Sequence, residues 1–246
     1  MSISVDVVIP VLNEEKALPR CIANLRQFLD THIEYPCRIV IVDNGSTDNT
    51  PAIAENLTQQ YSEVSWIHLD IRGRGRALRK AWLDSEAEIL TYMDVDLSTS
   101  LDAFPALVKA IAEERYDIAT GSRLMKGSKV TRILKREITS RSYNMIIKIA
   151  FWNKFSDAQC GFKAISRKAA DFLVPRIKDQ GWFFDTELLL LAEKGGGKIK
   201  DIPVEWVDDP DSRVNIAKTA RDDLLGLWRL RFGGISKALS ATFIPD

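Results

Sequence analysis

The chain has 246 residues, 46% of them hydrophobic, enough to bury the core of one large α/β domain or of two joined halves. Lys plus Arg and Asp plus Glu both total 34, so overall charge points to neither nucleic acid nor an acidic polymer as partner. Cys21, Cys37 and Cys160 are too few and too scattered for a disulfide framework or a cysteine zinc site, and fit a reducing compartment.

The opening segment MSISVDVVIPVLNEE has no basic region ahead of an apolar stretch and enters a strand directly, so it does not read as a secretory signal. Val5 to Ile9 is the first predicted strand. From Glu14 onward Leu18, Ile22, Leu25 and Leu29 recur at helical spacing, and Arg38 to Val42 is the second strand. Ser46 to Pro51 offers capping side chains and a first-turn proline ahead of Ile53, Ala54 and Leu57, marking another helix. Strands at Val64 to Leu69 and Glu88 to Met93 flank a helix at Gly75 to Trp82. A helix near Asp102 to Glu114 and a strand at Asp117 to Thr120 follow. This alternation predicts an α/β fold with a mainly parallel sheet and helices on both faces.

At about Gly121 the composition shifts. Lys126, Lys129, Arg132, Lys135, Arg136, Arg141, Lys148 and Lys154 crowd a segment opposed only by Glu137. Beyond it lie an apolar run at Gly161 to Ile165, a helix at Phe184 to Glu193, a glycine turn at 195–197 and a strand leading to Trp206. No apolar run approaches the roughly 18–20 residues of a membrane-spanning helix.

In open α/β sheets ligands bind at the carboxyl ends of strands. Three polar clusters follow predicted strands. Pro10 to Glu15 suits either contact with a nucleoside or a helix-capping loop. Asp43 to Asp48 begins with an acid able to accept from a base or ribose, although turn chemistry also accounts for it. The third, Asp94-Val95-Asp96, is the sharpest: strand alternation sends both carboxylates to one side, where a divalent cation relieves their mutual repulsion. Mg²⁺ or Mn²⁺ suits one or two carboxylates completed by phosphate oxygens and water. The alternative is an acidic turn.

VVIPVLNEE, VDNGSTDNT, RGRGRALRKA and MDVDLST, in that order, resemble glycosyltransferase family 2, the inverting enzymes of the GT-A fold, and most closely the branch making polyprenyl-phosphate sugars. Gly121-Ser122-Arg123, Lys135-Arg136, Arg141, SDAQCGFKAI and WFFDTEL extend the resemblance from Val5 to Arg213. It implies a nucleotide-sugar-binding half at 1–121 and an acceptor-binding half at 122–246 within a single catalytic domain. It further implies that Pro10, Leu12, Glu14 and Asp43 line the nucleoside pocket, that Asp94 and Val95 touch the nucleotide, and that Asp96 is the main metal ligand. Gly73-Arg74-Gly75 departs from the usual Gly-Lys-Gly. The charge survives, and Arg74 is assigned to the donor phosphates with a fork in place of a point charge.

The donor implied is of the UDP-glucose or GDP-mannose type. A phosphate monoester acceptor is already ionised and needs positioning more than deprotonation, a task that suits Arg123, Arg136 and Arg141. A solvated basic face is the alternative. By the same resemblance Asp185 or Glu187 is a candidate base for a hydroxyl acceptor, and with a phosphate acceptor Asp185 orients the site or holds a basic residue. Apolar residues among the charges of 126–154 fit either core packing or peripheral contact with the cytoplasmic face of a membrane, and Leu224, Leu227, Trp228, Leu230 and Phe232 beside Arg221, Arg229 and Arg231 are a second candidate for such contact. Two rival functions stand beside lipid-phosphate glycosylation. One is transfer to a saccharide or small-molecule hydroxyl, and the other a non-catalytic nucleotide-binding or nucleotidyl-transferring protein.

Overall fold

The computed structural model describes residues 3–131, 134–208 and 216–240, and the side chains of 134–136 and of 216 and 217 lie outside the description. The first half runs β1 (Val5–Val11), α1 (Ala17–His32), β2 (Cys37–Asp43), α2 (Thr50–Gln60), β3 (Val64–His68), α3 (Arg74–Asp84) and β4 (Ile89–Met93). It continues with a 3-10 turn at Leu101–Ala103, α4 (Phe104–Ala112) and β5 (Ile118–Ser122). The second half holds β6 (Lys129–Thr131), α5 (Leu134–Phe151), β7 (Phe162–Ser166), α6 (Arg167–Leu173), α7 (Phe184–Lys194), β8 (Ile199–Pro203), β9 (Glu205–Val207), α8 (Ile216–Arg229) and α9 (Ile235–Ala238).

The seven-stranded sheet has the order β3-β2-β1-β4-β7-β5-β8. All its pairings are parallel except those of β7, which runs antiparallel between β4 and β5. Alternation along the strands feeds two apolar layers. Val7, Ile9, Ile39 and Ile41 pack with Leu18, Ile22 and Leu25 of α1, Leu57 of α2 and Phe104 and Leu107 of α4. Val8, Val40, Val42, Leu90 and Tyr92 face α3, α5, α6, α7 and α8 on the other side. Burying strands on both faces is what makes them near-continuous apolar runs.

The fold is therefore the expected α/β architecture with helices on both faces. Two elements were not anticipated. The basic segment forms the 18-residue helix α5, because its apolar residues sit among charges without a clean helical stripe. The apolar run at 161–165 enters the sheet reversed, and β7 and β8 thereby extend the same sheet that β1 to β5 begin.

Candidate active site

β1, β2 and β4 are parallel neighbours, so their carboxyl ends open onto one edge of the sheet. After β1 the chain turns at Asn13, whose φ of 57° lies in the left-handed region that Asn tolerates well. The turn is tied to the loop after β2: Asn13 N donates to Ser46 Oγ at 2.8 Å, Thr47 N to Asn13 Oδ1 at 2.7 Å, and Glu14 N to Thr50 Oγ1 at 2.8 Å. Pro10, Leu12 and Glu14 are all partly exposed along this edge.

Asp43, the last residue of β2, is fully buried. Its Oδ1 accepts from Ser46 N at 3.1 Å, and its Oδ2 lies 2.7 Å from Nδ1 of His68 at the end of β3. The histidine is a site residue that sequence reading missed. Only the parallel register Asp43↔His68 brings it there.

β4 stops at Met93, and 94–97 form a turn in which Leu97 has a φ of 51° and its N–H donates to Asp94 O at 3.2 Å. Strand alternation does not extend through Asp94-Val95-Asp96, because the chain leaves the ladder before it. Asp96 is exposed and accepts from Ser98 N at 2.9 Å, whereas Asp94 and Val95 are half-buried. Asp94 Oδ1 receives Nη2 of Arg74 at 2.7 Å. Burial, together with Asp96 and Asp185, pushes the Asp94 carboxyl up against the opposing pull of Arg74 and Lys163.

Arg74 opens α3 with its guanidinium 4.7 Å from the Trp182 ring centre and 5.2 Å from that of Tyr92, and its Nε is buried without a hydrogen-bond partner. The N–H groups of Gly75 and Arg76 donate to Gly181 O and Gln180 O at 3.2 and 3.1 Å. Two first-turn N–H groups of α3 are thus taken up by protein carbonyls, and the Arg74 guanidinium supplies positive charge beside Asp94. The register Met93↔Phe162 sets Gly161 against Asp94. A Cβ at Gly161 would stand 2.0 Å from Asp94 Oδ2 and 2.6 Å from Arg74 Nη2, so only glycine leaves this carboxylate and guanidinium together.

Beneath them sits a buried polar trio. Lys163 on β7 pairs with Asp185 Oδ1 at 3.1 Å and donates to Ala158 O at 3.3 Å, and the Tyr92 hydroxyl donates to the same Asp185 oxygen. Asp185, in the first turn of α7, is therefore engaged by a cation and a phenol and is almost wholly buried. Lys163 lay hidden in the sequence inside an apolar strand.

Arg123 directly follows β5, and Nε and Nη2 grip both oxygens of buried Asp157 at 2.7 and 2.9 Å. Its remaining nitrogen, Nη1, has no partner among the described residues. Its guanidinium carbon also lies 5.6 Å from the Trp206 ring centre. Arg141 is on an exposed face of α5, paired with Glu137 one turn earlier. The Arg136 side chain lies outside the described residues. Glu187, the second candidate base of this stretch, is buried, and its two oxygens each receive Arg229 of α8 at 2.7 Å.

The donor set fits a divalent ion. Among the described residues no three His, Cys, Asp or Glu side chains converge. Asp96 and Asp94 would supply two carboxylate ligands, the pattern of Mg²⁺ or Mn²⁺ that completes its shell with phosphate and water. Asp43 at the end of β2, Asp94 and Asp96 just after β4 and Arg74 at the start of α3 thus stand along the carboxyl edge of a mainly parallel sheet, the place where open α/β proteins bind ligands.

Residues 6–173 match the family model for glycosyl transferase family 2, and the chain belongs to that family. It is 33% identical over 227 residues to glycosyltransferase AglD of Haloferax volcanii, covering 92% of this chain and 36% of the relative. It is 32% identical over 221 residues to dolichyl-phosphate beta-glucosyltransferase ALG5C of Trichomonas vaginalis, covering 85% of this chain and 66% of the relative. The chain thus spans about a third of one relative's length and two thirds of the other's. Its fold is similar to glucosyl-3-phosphoglycerate synthase of Mycobacterium tuberculosis, solved with Mn²⁺, UDP and glucosyl-3-phosphoglycerate. That match has a TM-score of 0.63 at 18% identity and covers 99% of this chain and 81% of the other.

Proposed function

We propose that this chain transfers a hexose, most simply glucose, from a nucleotide sugar to a polyprenyl phosphate at a membrane surface, with Mg²⁺ or Mn²⁺ held by Asp96 and Asp94. The observation that carries the donor side is the strand-end arrangement in which Gly161 leaves Asp94 in contact with Arg74 beside exposed Asp96. Asp43, fixed by His68 and Ser46, serves the base or ribose, with Pro10, Leu12, Glu14 and Val95 along the same edge. Arg74 is placed to release Asp94 and fork onto donor phosphate oxygens. When bound, the metal neutralises charge on the departing diphosphate.

For the acceptor, the glucosyl and dolichyl-phosphate terms in the ALG5C name support the choice of sugar and lipid phosphate. Arg123, held rigid by Asp157, offers Nη1 to an acceptor phosphate, aided by Arg136 and Arg141. An ionised phosphate needs no base, so Asp185 acts through Lys163 and Tyr92 to hold the site's shape.

Exposed apolar side chains on α5 (Ile138, Met145, Ile149) and α8 (Leu224, Leu225, Trp228) support peripheral membrane contact at the cytoplasmic face. Among the described residues no helix is long and apolar enough to cross a membrane. The acceptor class is tested by offering UDP-[¹⁴C]glucose with polyprenyl phosphate and, separately, with polyprenol or a soluble saccharide. Label is expected in the solvent-extracted polyprenyl phosphate fraction; label only on a hydroxyl acceptor would overturn the lipid-phosphate assignment.

A further inference from the structure

The segment from Ser156 to Gln159 carries the acid that grips Arg123, and it is fastened from three directions. Ser156 N and Oγ donate to Asp201 Oδ2 of β8 at 2.8 and 2.6 Å, and Ala158 N donates to Asn144 Oδ1 of α5 at 2.9 Å. Gln159 Nε2 donates to Asp223 Oδ2 of α8 at 2.7 Å. Gln159 is also joined to the gripping acid itself, its N–H donating to Asp157 Oδ1 at 3.2 Å.

Asp223 is 3% exposed, and its second oxygen has no hydrogen-bond partner. An asparagine would make the same bond to Gln159 without the cost of burying a charge. An acid here is therefore an expensive strut unless its charge strengthens the hold. The groups whose charge it feels are Asp179 ahead of α7, Asp185 on α7 and Asp222 on α8, and the Tyr143 phenol of α5 feels Asp223 in turn. No basic group offsets it among these.

We propose that Asp223 is a positioning residue for the acceptor side of the site: from α8, through Gln159, it fixes Asp157 and so aims the Arg123 guanidinium. Ionised, it accepts a charge-assisted bond from the Gln159 amide; protonated, the same oxygen accepts an ordinary one. Burial first, and the surrounding acids after it, push this carboxyl up to about 7. The hold on Gln159 therefore loosens as pH falls through that value.

The kinetic part of the test rests on the reading of Arg123 as an acceptor-phosphate contact, whereas loop order is measured without any acceptor. Amide hydrogen exchange at pH 8 would compare wild type with Asp223→Asn, Asp223→Ala and Gln159→Leu. Protection across 157–160 is expected to fall about tenfold in Asp223→Ala and Gln159→Leu, and by less in Asp223→Asn. With polyprenyl phosphate as acceptor, the acceptor KM of the first two rises about tenfold, or ~1.4 kcal/mol, with donor KM unchanged. A step in wild-type acceptor kcat/KM near pH 7 disappears in Asp223→Asn.

Unchanged protection in both Asp223→Ala and Gln159→Leu would overturn the proposal, as would lipid product formed with unchanged acceptor KM. Failure of wild type itself to make lipid product would instead refute the acceptor reading, and the exchange result would still decide the loop.

Discussion

A single methyl group at Gly161 tests the donor site most sharply. Gly161 has no left-handed backbone requirement, so alanine fits its chain conformation. The added Cβ would stand 2.0 Å from Asp94 Oδ2 and 2.6 Å from Arg74 Nη2. Ordinary contact begins near 3.4 Å, so the carboxylate must retreat by more than 1 Å. A misplacement of about 1 Å in a catalytic constellation costs on the order of 100-fold in rate, or ~2.7 kcal/mol of transition-state stabilisation.

The half-buried Asp94 side chain can swing away, so the fold should lose little; a change within about 1 kcal/mol is expected. Gly161→Ala is therefore expected to keep its urea midpoint while kcat/KM for the nucleotide sugar falls about 100-fold, measured as release of the nucleoside diphosphate. Wild-type turnover from a folded Gly161→Ala variant would refute the assignment of Asp94 and Arg74 to the donor.

Lys163→Met leaves the Asp185 carboxylate without its buried cation, and destabilisation of about 3–5 kcal/mol is expected by urea unfolding; pairing it with Asp185→Leu should recover much of that loss. Asp223 has a folded pKa raised to about 7 above an ordinary carboxylate value near 4, so its stabilising contribution is full below about pH 4 and gone above about pH 7. The melting temperature of Asp223→Asn should thus gain on wild type between pH 4 and 7 and stay level above; a constant gap would contradict the burial argument. Trp228, 67% exposed with its ring centre 4.2 Å from that of Phe232 and tilted 45° to it, should anchor α8 in anionic vesicles, so the double change Leu225→Ser with Trp228→Ser should weaken sedimentation with them at least several-fold and leave the melting temperature within about 2 °C.

The strand-end clusters were legible because their signals are local. VVIPVLNEE, VDNGSTDNT and MDVDLST each combine a β-branched strand with a polar turn, and parallel sheet geometry brings such turns to one edge. The sequence did not reveal where each carboxylate would point, since the chain leaves β4 at Met93 and strand alternation no longer governs Asp94 and Asp96. The partners that set the electrostatics are non-local: His68 on Asp43, Lys163 on Asp185, Asp157 on Arg123 and Gln159 on Asp223. Each depends on how the sheet is threaded. The reversed entry of β7 is the clearest case, because no local pattern states a strand's direction, yet it decides that Lys163 lies across from Tyr92 and Gly161 beside Asp94.

Asp96 and Asp94 are proposed to hold the ion that serves sugar transfer from a nucleotide sugar. The most direct test is a titration of Mg²⁺ and Mn²⁺ against nucleoside diphosphate release from UDP-glucose and GDP-mannose, for wild type and Asp96→Asn. Metal-dependent release by wild type, reduced by about 100-fold or more in Asp96→Asn at saturating metal, is the predicted result. Equal release by the two proteins, or release by wild type undiminished by chelator, would contradict it.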